Sequence, residues 1–394
     1  MPLIINLTNM RYVKLLILFI FVFTTKIFGL NINVRLLSDY KTNTVDVNVV
    51  SGAYSLLCDK VQILPVDMSA STSVTLTYYE GKIRIEKGLE LVGFFSEIEF
   101  IGKKYNNVFS LRSSNLAKDR IYEDNLKIVT FSSELLLINT IGLEKYIAGV
   151  VQSEVFGSSN DVEFFKIQAI ASRTYCLANL NRHLTQSANL CDGVHCQAYK
   201  GRCTQADILR GTYETFSDVV VDTANKLIST AYHSNSGGMT ESAGNVWQRD
   251  VSYLQSVKDT FSVNARNYQW EKIIPKKQWI AYFTTTYGSK YLQPEYQEKI
   301  LNFEQEQRIP RWIIDTDTIL TKEIRTYFKL RSTYFSVSAR GENVHLKGKG
   351  YGHGVGLSQE GAIQMVKQGY GAAEIFRFYY QDVSIMKYTD IIDF

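Results

Sequence analysis

Between residues 183 and 203 the chain gathers His183, Cys191, His195, Cys196 and Cys203. Thiolate and imidazole groups this close in sequence suit a tetrahedral zinc ion. The four residues between Cys191 and Cys196 exceed the spacing of a standard knuckle, so a disulfide between the two stands as the competing reading in an oxidising compartment. A second feature is Glu154, set between Val150-Val151 and Val155-Phe156. A partly apolar setting raises the pKa of a carboxyl and fits it for acid catalysis. The alternative is an acid that merely precedes a helix and favours its dipole. The third feature is the alternation Gly348, Gly350, Gly352, Gly354, Gly356. An extended chain would turn bare backbone to one side and Lys349, Tyr351, His353 and Val355 to the other. Bare backbone lets something approach closely, whether a polymer or a packed helix.

The elements that must position these groups divide into two kinds. From Leu30 to about residue 124, short runs such as Val45–Val49 and Lys82–Glu86 alternate with turn signals and predict a β-rich region. Strands continue through Leu126–Phe131 and Leu135–Asn139. A helical stretch over Gly142–Val150 then leads to Glu154. Asn160, with Glu163 three residues on, predicts the cap of a helix reaching about Asn181, with its apolar positions at helical spacing. A strand is expected at Leu227–Ser234, ending in the Ser236-Gly237-Gly238 turn. Residues 257–330, rich in aromatic and charged side chains, read as an inserted subdomain. Strands at Tyr334–Val337 and Val344–Lys347 and a helix from Ser358 to Gln368, stopped by Gly369, complete the chain. The expected class is α+β, a mixed sheet core with packed helices, and the main domain is placed at residues 125–390.

The 394 residues carry 45% hydrophobic and 21% charged side chains with a net charge of +4. That composition is globular, and the charge gives no sign of a nucleic-acid binder. At the N-terminus, Arg11 and Lys14 precede the apolar run Leu15–Phe23, which fits a secretory signal over residues 1–29. Cleavage after Gly29, a retained anchor attaching the chain to the membrane, and a start at Met10 are all compatible with it. The working part is expected outside the inner membrane.

Gly352-His353-Gly354-Val355-Gly356-Leu357-Ser358-Gln359, followed by Gly361-Ala362, resembles the C-terminal signature of the stage II sporulation protein D (SpoIID/LytB) family. Four further segments resemble the family in the same order. They are Glu144–Val151 with Ser153-Glu154, Lys166–Tyr175, Cys196–Gly201, and Ser236–Glu241 with Trp247 downstream. The resemblance covers about Asn125 to Tyr380. Val155-Phe156 departs from the Met-Pro that often follows the family's glutamate, which puts the local loop shape in doubt.

The resemblance implies a lytic transglycosylase that cuts peptidoglycan glycan strands in cell-wall remodelling, with Glu154 as acid and base. It implies substrate contacts from Ser153, Arg173, Tyr175, Ser236, Gly237, Gly238, Gly352, His353, Gly354, Ser358 and Gln359. It favours zinc on His183, Cys191 and Cys196, with His195 as the fourth candidate, in a structural or cleft-shaping role. The expected partner is the glycan strand, with a cell-wall amidase as a possible preceding enzyme. A non-catalytic glycan-binding scaffold and a zinc-dependent wall hydrolase are the competing functions.

Overall fold

The computed structural model describes residues 30–155 and 157–391. The signal or anchor reading of residues 1–29, and the contribution of Phe156 to the setting of Glu154, lie outside the described residues. The described chain forms two compact units, one of residues 30–36 and 41–146 and one of residues 37–40 and 147–391.

The first unit is built of strands β1 (Asn31–Leu36), β2 (Thr44–Ser51), β3 (Ala53–Cys58), β4 (Val61–Ser69), β5 (Ser73–Tyr79), β6 (Lys82–Lys87), β7 (Glu90–Phe95), β8 (Glu97–Gly102), β9 (Val108–Arg112), β10 (Arg120–Glu123), β11 (Asn125–Phe131) and β12 (Glu134–Gly142). They make two antiparallel sheets, ordered β1-β12-β11-β8-β3-β4 and β10-β9-β2-β5-β6-β7. Alternation is what the sequence showed: Val45, Val47, Ile83 and Ile85 from one sheet, and Ile98, Phe100, Leu126 and Ile128 from the other, are buried. Period-two burial on both sheets is how a sandwich core forms. The compact division falls after Tyr146 rather than after residue 124, because β11 and β12 pair with β8 and β1.

The second unit begins within α1 (Leu143–Val155) and is centred on α2 (Val162–Ala178). Asp161, not Asn160, caps α2, its carboxylate accepting from the Glu163 amide. The helix ends at Ala178, short of Asn181. After it come β13 (Leu190–Cys191), α3 (Ala206–Glu214), β14 (Asp218–Val221), β15 (Tyr232–His233) and α4 (Ala243–Trp247). Of the strand expected over residues 227–234, only β15 forms as a strand; Leu227 makes an isolated bridge to Val221.

A subdomain then runs through β16 (Gln269–Pro275), α5 (Lys276–Tyr287), α6 (Pro294–Leu301), β17 (Asn302–Phe303), β18 (Arg311–Ile314), β19 (Asp317–Leu320), α7 (Thr321–Tyr327), β20 (Phe335–Arg340) and β21 (Asn343–Lys349). Its four-stranded sheet, ordered β16-β21-β20-β17, surrounds a core rich in aromatics such as Trp279, Phe283 and Trp312. The insertion therefore extends past residue 330, because β21 pairs with β16 from Asn343–Pro275 to Lys349–Gln269. The chain closes with β22 (Leu357–Ser358), α8 (Gln359–Lys367), α9 (Ala372–Tyr379) and β23 (Ser384–Lys387). The arrangement is α+β.

The glycine segment is not an extended strand. Gly350, Gly352, Gly354 and Gly356 all have positive φ, between 69° and 112°. L-residues rarely adopt this region, so glycine is required there for its backbone as well as its size. The segment winds against the middle motif instead of offering a bare face: a Cβ on Gly356 would lie 2.2 Å from the Ala231 carbonyl oxygen, and one on Gly354 would lie 2.8 Å from the Arg308 guanidinium. The outcome is that β22 runs parallel to β15, pairing Tyr232 with Leu357 and His233 with Ser358. Residues more than a hundred positions apart in sequence thereby share one wall.

Candidate functional site

A cavity of about 920 Å³ opens in the second unit, lined among others by Glu154, Tyr232, His233, Trp247, His353 and Glu360. Glu154 occupies the last turn of α1, eight residues before the start of α2. The geometry around it explains the sequence of α1. Gly149 and Ser153, one helical turn apart, share a face. A Cβ on Gly149 would lie 2.5 Å from the Tyr199 ring, so glycine there lets the 197–201 loop lie on the helix. Ser153 donates to the Gly149 carbonyl at 2.7 Å and accepts from the Lys200 amide at 2.9 Å. The Ala198 amide donates to Glu154 Oε1 at 2.8 Å. Burial raises the pKa of Glu154 above the ordinary carboxyl value; the Ala198 amide, the Tyr232 hydroxyl and the Lys200 ammonium oppose the shift without cancelling it. The group retains its proton to higher pH than an exposed glutamate does.

Among the described residues, Glu360 is the other acid lining the cavity, and it is fully engaged. Its oxygens accept from Asn235 Nδ2 at 2.7 Å, the Asn267 amide at 3.0 Å and Asn267 Nδ2 at 2.6 Å.

His183, Cys191, His195 and Cys196 converge, their ligand atoms all within 4.8 Å of one another. Cys196 Sγ lies 3.4 Å from His183 Nε2 and 3.6 Å from His195 Nδ1. Cys191 and Cys196 are both buried and are not joined by a disulfide in this structure. His195 and Cys196 also line the cavity. Arg182, beside them, donates to the Tyr175 hydroxyl and to the His195 carbonyl.

The other residues expected to touch substrate separate into two groups. Tyr175, Gly352, His353 and Gln359 line the cavity with Glu154. Ser153, Arg173, Ser236, Gly237, Gly238, Gly354 and Ser358 do not, and most of them hold protein partners. Arg173 is wholly buried and donates to the carbonyls of Asp218 and Thr212 at 3.0 and 3.1 Å, tying α2 to the chain around β14. Ser236 donates to Asp259 at 2.8 Å, and its carbonyl accepts from Arg308 at 2.6 Å. Gly237 packs on Lys349 and Gly350, while Gly238 donates its amide to Ser236 Oγ. Ser358 caps α8 by accepting from the Gly361 amide. These side chains build the wall from behind.

Tyr232, Arg182 and Glu360 were not legible as site residues. Tyr232 sits in a two-residue strand that no periodicity marks, and its role depends on β22 bringing it beside α1.

Residues 132–229 match the family described as "Stage II sporulation protein" (SpoIID). That segment contains Glu154, all of α2 and the four-residue His/Cys cluster. The chain is 28% identical over 263 residues to stage II sporulation protein D of Bacillus subtilis, covering 63% of this chain and 75% of that protein. It is 27% identical over 313 residues to the protein of the same name from Bacillus amyloliquefaciens, covering 71% and 85%. It is also 25% identical over 290 residues to the amidase enhancer of Bacillus subtilis, covering 61% of this chain and 40% of that one. The chain accordingly carries a SpoIID-family segment, as the order of its motifs implied.

Proposed function

We propose that this protein is an exported lytic transglycosylase that cleaves the bond between N-acetylmuramic acid and N-acetylglucosamine in peptidoglycan. The observation that carries the reading is a single raised-pKa carboxyl in the wall of a polymer-sized cavity. A hydrolase with two catalytic carboxyls needs a second acid free to act. Glu360, held by three donors, is poorly suited to that part. One carboxyl suffices for transglycosylation. Protonated Glu154 gives its proton to the bridging oxygen as the C1–O bond breaks. The resulting carboxylate takes the proton of the muramyl C6 hydroxyl, and that oxygen bonds to C1. The ring becomes a 1,6-anhydro sugar, no water is consumed, and Glu154 is again protonated. The relatives' names, stage II sporulation protein D and amidase enhancer, support a role in sporulation alongside an amidase that acts on the same strands beforehand.

Zinc fits His183, Cys191, His195 and Cys196. Bonds of roughly 2.0–2.3 Å put tetrahedral ligand atoms within about 4 Å of one another, and two reduced thiols with two imidazoles form a known structural donor set. When bound, the ion would supply cross-linking. Cys196 precedes Ala198 by two residues, so fixing it holds the amide that hydrogen-bonds Glu154.

The test is digestion of purified sacculi followed by mass spectrometry. The wild type should release anhydro-muropeptides, and Glu154→Gln should lower the rate by about 10²-fold or more while still sedimenting with sacculi. Release near the wild-type rate by Glu154→Gln removes the acid assignment.

A further inference from the structure

Helix α2 carries two polar side chains for which helix formation gives no reason. Gln168 and Ser172 sit one turn apart in its middle, and both are wholly buried. Buried amides and hydroxyls are costly unless each finds a partner. Here they join a chain of side chains. Gln359, in the cavity wall, donates from Nε2 to Gln168 Oε1 at 3.4 Å. Gln168 donates from Nε2 to Ser172 Oγ at 3.2 Å. The Ser172 hydroxyl is hydrogen-bonded to the Tyr232 hydroxyl, which is hydrogen-bonded in turn to Glu154. Gln197 braces the same pair from the side. Its Oε1 lies 3.1 Å from the Tyr232 hydroxyl, and its Nε2 donates to the Ser172 carbonyl at 3.2 Å.

The direction of every bond in this chain follows from its charged end. A carboxylate only accepts, so the single hydrogen of Tyr232 points to Glu154 when Glu154 is charged. The Tyr232 oxygen then accepts, and the Ser172 hydroxyl is its donor. With its hydrogen given to Tyr232, Ser172 Oγ accepts from Gln168 Nε2, which leaves Gln168 Oε1 to accept from Gln359. Hydrogen bonds in series strengthen one another in a low-dielectric interior, so a donor behind Tyr232 makes Tyr232 the better donor. Lys200 also faces Glu154, and Tyr175, Arg182, His195, His353 and Glu360 share its cavity. None of these is a link in the chain.

We propose that Ser172 and Gln168 are positioning residues for the acid: they hold Tyr232 as a hydrogen-bond donor and so favour the charged form of Glu154 that exists between its two proton transfers. The proposal rests on the reading of Glu154 as acid and base and adds to it the residues that prepare its partner. Ser172 touches Glu154 only through Tyr232, so its effect must disappear when the Tyr232 hydroxyl is removed.

The test is a carbon-13 NMR titration of the Glu154 carboxyl in the full chain, labelled at the glutamate carboxyl carbons, with the resonance identified by its loss in Glu154→Gln. No substrate is present, so the readout stands apart from turnover. Ser172→Ala should move the titration midpoint to higher pH, in the direction of Tyr232→Phe and by less. Adding Ser172→Ala to Tyr232→Phe should move it no further, within about 0.3 pH unit. Thr174→Ala is the structural control. Thr174 is equally buried on the same helix but bonds the Ile170 carbonyl and the Val220 amide. That variant should lose stability and keep the wild-type midpoint within the same margin. An unchanged or lowered midpoint in Ser172→Ala, a shift that adds in full to that of Tyr232→Phe, or an equal shift in Thr174→Ala each overturns the proposal. If Ser172→Ala does not fold, Gln168→Met removes the donor to Ser172 and takes its place, with the same direction expected and the same results decisive. The wild type can release anhydro-muropeptides whatever this titration shows, and a lack of release leaves the titration unaffected. Failure of the positioning set and failure of the transglycosylase reading are therefore distinguishable.

Discussion

Gly354 and Gly369 share a φ of +87° and differ in surroundings. An ideal Cβ at Gly369 meets nothing within 4 Å, whereas one at Gly354 lies 2.8 Å from Cζ and Nη1 of Arg308. Alanine at either position costs about 1–2 kcal/mol for the left-handed backbone. At Gly354 the methyl also displaces a buried guanidinium whose Nη2 donates to the Ser236 carbonyl at 2.6 Å. Overpacking costs about 1–3 kcal/mol and a weakened charged hydrogen bond about 1.5–3 kcal/mol. These overlap, so Gly354→Ala should be less stable than Gly369→Ala by roughly 2–5 kcal/mol. Urea unfolding followed by the fluorescence of Trp247 and its neighbours reads the difference as a lower midpoint at unchanged slope. Unfolding free energies for the two variants within about 0.5 kcal/mol of each other would refute the view that the glycines serve internal packing. They would restore the expectation that the segment lies bare for a glycan.

The Tyr232 hydroxyl favours the charged form of Glu154, so Tyr232→Phe should raise the Glu154 pKa further. A general acid works while protonated, so the fall of kcat/KM with rising pH should move to higher pH in the variant; a limb that stays or moves down refutes the contact. Metal analysis of the purified protein should find about one zinc per chain, and Cys196→Ala should lose it; a metal-free wild type refutes the zinc site.

The sequence was most legible where chemistry and local geometry coincide. The β-rich region was readable because Val45, Val47, Ile83 and Ile85 alternate with polar neighbours, and burial follows that alternation. The His/Cys cluster was readable because its members lie within fourteen residues, and no long-range pairing is needed to bring them near one another. Ser236 and Arg173 misled for one reason: their motif positions are shared with substrate-binding segments, while their partners, Asp259 and the carbonyls of Thr212 and Asp218, come from remote chain. The alternation of glycines misled because a repeat of two suggests extension, and positive φ leaves no mark on composition. Tyr232 had no signal of its own, since its place beside Glu154 depends on the parallel pairing of β15 with β22.

The parts of the site converge on a single loop. Residues 195–201 carry two members of the His/Cys cluster, the amide that donates to Glu154, and the tyrosine ring that rests on Gly149. Gln197, in the same loop, lies with its Oε1 3.1 Å from the Tyr232 hydroxyl. That hydroxyl has one hydrogen. It can donate to Glu154 when the carboxyl is charged and to Gln197 when the carboxyl is protonated. In the proposed transglycosylase, where Glu154 would lose and regain a proton in each turnover, this neighbour is able to serve both states. The loop that a bound metal would stiffen is the loop that supplies that choice. Glu154 itself is an ordinary residue near the end of an ordinary helix. Its raised pKa arises from burial, which outweighs the opposing hydrogen bonds from the Ala198 amide of this loop and the Tyr232 hydroxyl of β15.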